Sequence, residues 1–336
     1  TISNDAYTVF SRKDIDLKGD LTISSGTTLD TETSSKDINL EGSLSISGTL
    51  EASSRTITFD GDGSVTCSSY SDNTVDIDVS KTNSGDVTFG ATTSIDQLEI
   101  TTASTVYIPA SATFTANGTT TLTDGTLSIG NATFNVLGSF SGSASSTIDF
   151  TDAAGRLILS GSVGASAFSG ALDDDMGTVE YDGASAQVMF ADDYYNIEID
   201  GSATKSLGGN TTVKGDITLT NGELDFSGNK NLNVIGDITK TSGSLVNSSS
   251  TNGYLVLKAT SSRNASQAVC GFTAPSVSIK VQESADVEIT GDISANYLWV
   301  QSSNSGTFTI DNNYNLTVDQ YIKVAGGTLN VVTGSL

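Results

Sequence analysis

Apolar and polar residues alternate along nearly the whole chain, in short runs broken by Gly, Asn, Asp and Ser. In "VKGDITLTNGELDF" (213–226) this parity predicts a strand with Val213, Gly215, Ile217 and Leu219 on one face. Lys214, Asp216 and Thr218 then take the other face. Asn221-Gly222 marks a turn, because both residues tolerate positive φ. Leu224 and Phe226 resume the inward set beyond it. No window of about 11 residues keeps apolar positions at i, i+3, i+4 and i+7, so helix is not expected.

The same phrase returns as "VIGDITKTSGSLVN" (234–247), "LKGDLTISSGTTLD" (17–30), "LEGSLSISGTLE" (40–51) and "ITGDISANYLWV" (289–300). Its conserved turn and rung positions are Gly19, Gly42, Gly215, Gly236 and Gly291, and adjacent copies lie 23 and 21 residues apart. A fixed period of this length is the mark of coils stacked on one another, equivalent residues forming ladders with a spacing of about 4.8 Å. The expected fold is therefore all-β, a β-solenoid (β-helix) of about 15 coils with a period near 21 residues. A β-sandwich array is the alternative; its hairpin-paired strands need no fixed period. The solenoid is expected to run through 1–336 as one domain. Two passages break the cadence: 169–201, read as a seam or an insertion, and 247–272, read as an irregular coil carrying Arg263 and Cys270.

From Gly177 the chain reads "GTVEYDGASAQVMFADDYYNIEIDGSATKSLGGNTTVKGDITLTNGELDF". The opening G-x-V-x-Y-x-G, the Gln, the aromatic YYN-x-x-I and the closing L-x-G-x-x-x-V-x-G-x-I resemble β-solenoid segments of large bacterial cell-surface, adhesin-like proteins. The match covers about residues 177–226, and elsewhere the likeness is generic. It implies a secreted, prokaryotic, cell-surface setting and no catalytic activity.

Composition narrows the partners. With 15 Lys+Arg against 39 Asp+Glu the net charge is −24, which disfavours nucleic acid and anionic membranes. No apolar run reaches the roughly 18–20 residues that span a bilayer, so membrane insertion is not expected. The chain starts at Thr1 without a leader-like segment and is read as a processed chain or a fragment. His is absent, and Cys67 and Cys270 form no CxxC, which leaves neither a His base nor a Cys-type zinc site. The two cysteines are 203 residues apart, too many coils for an internal disulfide in a straight solenoid. Facing outward, they would be candidates for an intermolecular one.

Carboxylates are the remaining candidates. Asp173, Asp174, Asp175, Glu180 and Asp182 supply the hard oxygens that calcium prefers, without EF-hand or nonapeptide spacing; the competing reading is a solvated acidic loop. No other cofactor is expected. A polysaccharide lyase or glycoside hydrolase would draw on Asp174, Asp175, Asp192 and Asp193, but no His or cationic partner is legible beside them. Thr-x-Thr triplets at 56–58, 113–115, 121–123 and 307–309 resemble ice-binding ladders but do not recur at one point of the coil. Sequons at Asn117, Asn131, Asn210, Asn247, Asn264 and Asn315 permit glycosylation without arguing for it. The leading expectation is a non-enzymatic, extracellular structural subunit of a filament, sheath or surface layer, with other copies of itself as partner. A passive stalk or adhesin segment that contacts surface polysaccharide comes second, and the polysaccharide-active enzyme third.

Overall fold

The computed structural model describes residues 1–2, 8–81, 85–152, 154–164, 172–249, 251–258, 266–274, 276–282, 286–301, 306–311 and 313–332. Among these there is no helix; the chain is a β-solenoid of parallel strands with about 14 turns and a period of about 21 residues. The strand pairs are parallel, each strand lying on its equivalent one coil away, which excludes the hairpins of a sandwich. Two compact units divide at Gly177–Thr178, inside the passage 169–201.

Each coil has three short strands. In the first unit a representative coil is Leu98–Ile100, Thr105–Tyr107 and Thr113–Ala116, followed by Thr120–Leu122, Gly125–Ser128 and Thr133–Val136. Two sides of this unit are seven-stranded parallel sheets. Alternation fills the centre with ladders of like residues. Ile38, Ile57, Ile77 and Leu98 stand one above the next, each no more than 2% exposed. Phe114 sits between Phe89 and Phe134, with ring centroids 4.9 and 5.3 Å away.

In the second unit Ile197, Ile217, Ile238, Val269, Ile289 and Ile310 form one such ladder. The spacing is 21 residues from Ile217 to Ile238 but 31 from Ile238 to Val269. The longer coil overlaps the passage 247–272; Arg263 lies outside the described residues.

The strand expected over 213–219 is not continuous. Thr211–Val213 and Ile217–Leu219 belong to different sheets, and Lys214–Asp216 is the corner between them. Parity survived the corner, so Val213, Ile217, Leu219, Leu224 and Phe226 are all fully buried. Gly215 is a corner residue and not an inward one. Asn221-Gly222 also turns between sheets, with Gly222 at φ +67° and its N–H donating to Asn221 Oδ1 (2.9 Å).

Candidate functional site

The corner holds the Gly-Asp dipeptide of the repeated phrase, and its geometry explains the repetition. Asn196 Oδ1 accepts from the Asp216 N–H (2.8 Å), Asp216 Oδ1 from the Asp237 N–H (2.8 Å), and Asp237 Oδ1 from the Ala268 N–H (2.8 Å). Asp20 serves Ser43 (2.7 Å) and Asp292 serves Asn315 (2.7 Å) in the same way. Each carboxylate thus satisfies a backbone donor that leaves its strand at the bend and would otherwise lack a partner. Gly precedes it because the coils touch here: a Cβ on Gly236 would stand 2.2 Å from the Gly215 carbonyl oxygen and 2.4 Å from Asp216 Oδ1. Gly42 and Gly291 are equally confined by Gly19 and Gly271, whereas Gly19 has open space around its Cα. Sequon asparagines are used likewise. Asn131 Oδ1 accepts from Ser111, Asn210 from Asn231 and Asn247 from Gly228. Asn264 is outside the described residues.

The five acidic candidates do not form one set. Asp173, Asp174 and Asp175, in the first unit, bring carboxylate oxygens within 4.8 Å of one another. Asp173 gives its oxygens to the backbone, accepting from the Asp175 N–H (3.0 Å) and the Phe150 N–H (3.2 Å). Glu180 belongs to a different group, with Glu198 and Asp200 in the second unit; the ladder register places Glu180 on Glu198. Sequence spacing hid this pairing, because Glu198 lies one coil on. Asp182 keeps company with a cation: it holds up the pKa of Lys205, which burial lowers. Asp193, a candidate for glycosidic chemistry, caps the Thr212 N–H at 2.9 Å. The Thr triplets do not stack into continuous Thr ladders: Thr58 lies between Asn39 and Asp78, and Thr121 between Glu99 and Ser141.

Lys205 itself is a position that parity should have flagged. It occupies the inward place between Gln187 and Leu224 and is fully buried. Its ammonium donates to the carbonyl oxygens of Gly183 and Ser185, the latter at 3.2 Å. Lys81 is a second interior lysine, 1% exposed, whose Nζ has no hydrogen-bond partner among the described residues. Burial lowers its pKa against the pull of Asp60, Asp62 and Asp86.

Beside Lys205's coil, Tyr181 and Tyr194 are both fully buried and close a polar circuit. The Phe190 N–H donates to the Tyr181 hydroxyl (3.1 Å), the two hydroxyls share a bond of 2.8 Å, and Tyr194 donates to the Phe190 carbonyl (3.0 Å). With Tyr194 committed to the carbonyl, Tyr181 must donate to Tyr194, and every group in the ring is satisfied. These are residues of the Y-x-G and YYN elements of the sequence pattern from Gly177. In this chain they are core.

The cysteines correct an expectation. Cys67 and Cys270 are free and buried, 2% and 4% exposed. Burial pushes the Cys67 thiol up to about 12 and Cys270 up to about 11, so neither is a reactive thiolate near neutral pH. An intermolecular disulfide requires outward sulfurs, and these face the interior.

The outer face of one sheet in the second unit differs in chemistry from the rest. It is built by Gly253–Leu257, Val277–Val281, Ile293–Val300 and Leu316–Val324. One outward ladder carries Tyr254, Ser278, Tyr297 and Tyr321; its neighbour carries Val256, Lys280, Trp299 and Lys323. The Tyr254 and Tyr297 hydroxyls meet at 2.8 Å across fully buried Ser278. Tyr297 and Tyr321 stack at 5.0 Å with planes 4° apart. Lys280 Nζ lies 3.5 Å from the Tyr254 centroid, and Lys323 Nζ 4.6 Å from that of Trp299. The repeated Gly-Asp phrase gives no hint of this face, because it tracks corners; the signal was the outward parity of Tyr and Lys at coil spacing.

No family model, curated protein or solved structure matches this chain. Fold and surface together define its class, an all-β solenoid repeat protein with three strands per coil.

Proposed function

We propose that the chain is a non-catalytic structural subunit of a prokaryotic extracellular filament, sheath or surface layer, joined to other copies through the faces and edges of its solenoid. The observation that supports this reading is the unbroken register of the outward ladders. On one sheet of the first unit Asp16, Asn39, Thr58, Asp78, Glu99, Thr121 and Ser141 follow one another rung by rung. A face with a fixed repeat is suited to lateral packing, since a partner with the same rung spacing meets it in register. Of the carboxylates a hydrolase would draw on, Asp192 and Asp193 accept from the backbone N–H groups of Asp193 (2.8 Å) and Thr212 (2.9 Å). Calcium enters as a bridge between acidic faces, with Asp173, Asp174 and Asp175 as its candidate ligands.

Negative-stain microscopy of the purified chain tests the proposal. Fibres or sheets are expected at micromolar concentration, and calcium should thicken them. Isolated particles under all ionic conditions would overturn it.

A further inference from the structure

The two ladder faces described above differ in charge. On the first unit, Asp78 and Glu99 stand on adjacent rungs of one ladder, with Asp76 on the same strand as Asp78. Like charges directly opposite in a sheet are destabilising. Asp78 Oδ1 has no hydrogen-bond partner among the described residues. A groove of about 300 Å³ runs past Asp76, Asp78, Gln97 and Glu99, so these groups are within reach of an incoming side chain.

On the second unit, Lys280 and Lys323 stand two rungs apart with Trp299 between them. Asp319 is the one carboxylate in the outermost strand, Leu316–Val324. Tyr297 and Tyr321 stack beside the two lysines with ring centroids 5.0 Å apart.

We propose that the lysine–aromatic face of the second unit in one copy docks on the acidic face of the first unit in another. The proposal rests on the self-assembly reading and names the surfaces that would carry it. Both faces are parallel sheets with the same rung rise of about 4.8 Å, so charged rungs of one face keep a common repeat with those of the other. The contact is heterologous: each copy keeps one donor and one acceptor face, and association propagates as a chain or closes as a ring. The acidic ladder then costs the free subunit some stability and recovers it on assembly.

Charge reversal on the full chain tests the pairing. Lys280→Glu/Lys323→Glu and Glu99→Lys/Thr121→Lys each alter outward side chains, and circular dichroism confirms that each variant keeps its β structure. Assembly, followed by sedimentation, should fall at least about tenfold for either variant alone, because like-charge faces oppose each other. Mixing the two should restore it, each variant now supplying the charge the other lacks. For the wild type, 0.5 M NaCl should weaken assembly. Variants that assemble as well as the wild type would overturn this pairing and leave the self-assembly reading standing. A wild type that never assembles would overturn both. If that monomer instead binds polygalacturonate, and Lys280→Glu/Lys323→Glu abolishes binding, the face is a site for an anionic glycan and the pairing between copies is wrong.

Discussion

Tyr194 shows how much of this protein's interior polarity is held by single hydrogen bonds. Replacing it with Phe would remove the donor to the Phe190 carbonyl and the acceptor for Tyr181, leaving buried groups unsatisfied. The expected cost is about 1–3 kcal/mol, read as a lower urea midpoint with unchanged m-value. The pH dependence follows from the same burial. Burial raises the pKa of both hydroxyls, Tyr194 well above 10, so the folded state holds these protons where the unfolded chain releases them. Their contribution is complete below the ordinary tyrosine range of about 10 and is lost as pH rises beyond it. Wild-type stability should therefore fall steeply above pH 10, and Tyr181→Phe/Tyr194→Phe should fall less steeply. Equal slopes would show that the pair does not set alkaline stability.

At the scale of the strand and its corner, two glycines make opposite predictions. Gly236→Ala places a methyl against the backbone of the coil below and should cost about 2 kcal/mol or more. Gly19→Ala meets open space and should change stability by no more than about 0.5 kcal/mol. Thermal unfolding of the two variants checks both, and equal losses would remove the corner-contact explanation of the repeat. This is also where the limits of the sequence lie. Parity identified the buried set Val213, Ile217, Leu219, Leu224 and Phe226, because alternation is enforced wherever a ladder needs an apolar rung. It also put Cys67 two residues from buried Val65, on the parity that marks an inward sulfur. Corners were invisible, since Lys214–Asp216 keeps strand-like alternation while the backbone changes sheet. Lys205 was hidden by its residue type: an inward ammonium is tolerable only where carbonyl oxygens converge, and Gly183 and Ser185 come from the coil before.

For the molecule as a whole, a charge of −24 is stored partly as like-charged rungs. Burial first, and then Glu99, raises the Asp78 carboxyl pKa. A carboxylate with a raised folded-state pKa favours folding below its unfolded pKa, near 3.9, and that benefit is lost as pH rises through the folded value. Asp78→Asn should consequently stabilise the free subunit at pH 7 by about 0.2–1 kcal/mol, the gain shrinking as pH falls toward 4. A destabilised variant at pH 7 would mean that the carboxylate is already compensated. The corner ladder has a different consequence, for how such a chain changes length. Val213 and Val234 occupy the same point of successive coils, and the Gly-Asp corner after each is interchangeable, 21 residues apart. Excising 214–234 would join Val213 to the next Ile-Gly-Asp corner and return a folded protein one storey shorter, whereas removing ten residues from the same place would leave every later strand about half a coil out of register with the coil before it. Insertions and deletions in a lineage of such genes should come in whole coils, and odd lengths should accumulate only at a coil already enlarged, as between Ile238 and Val269.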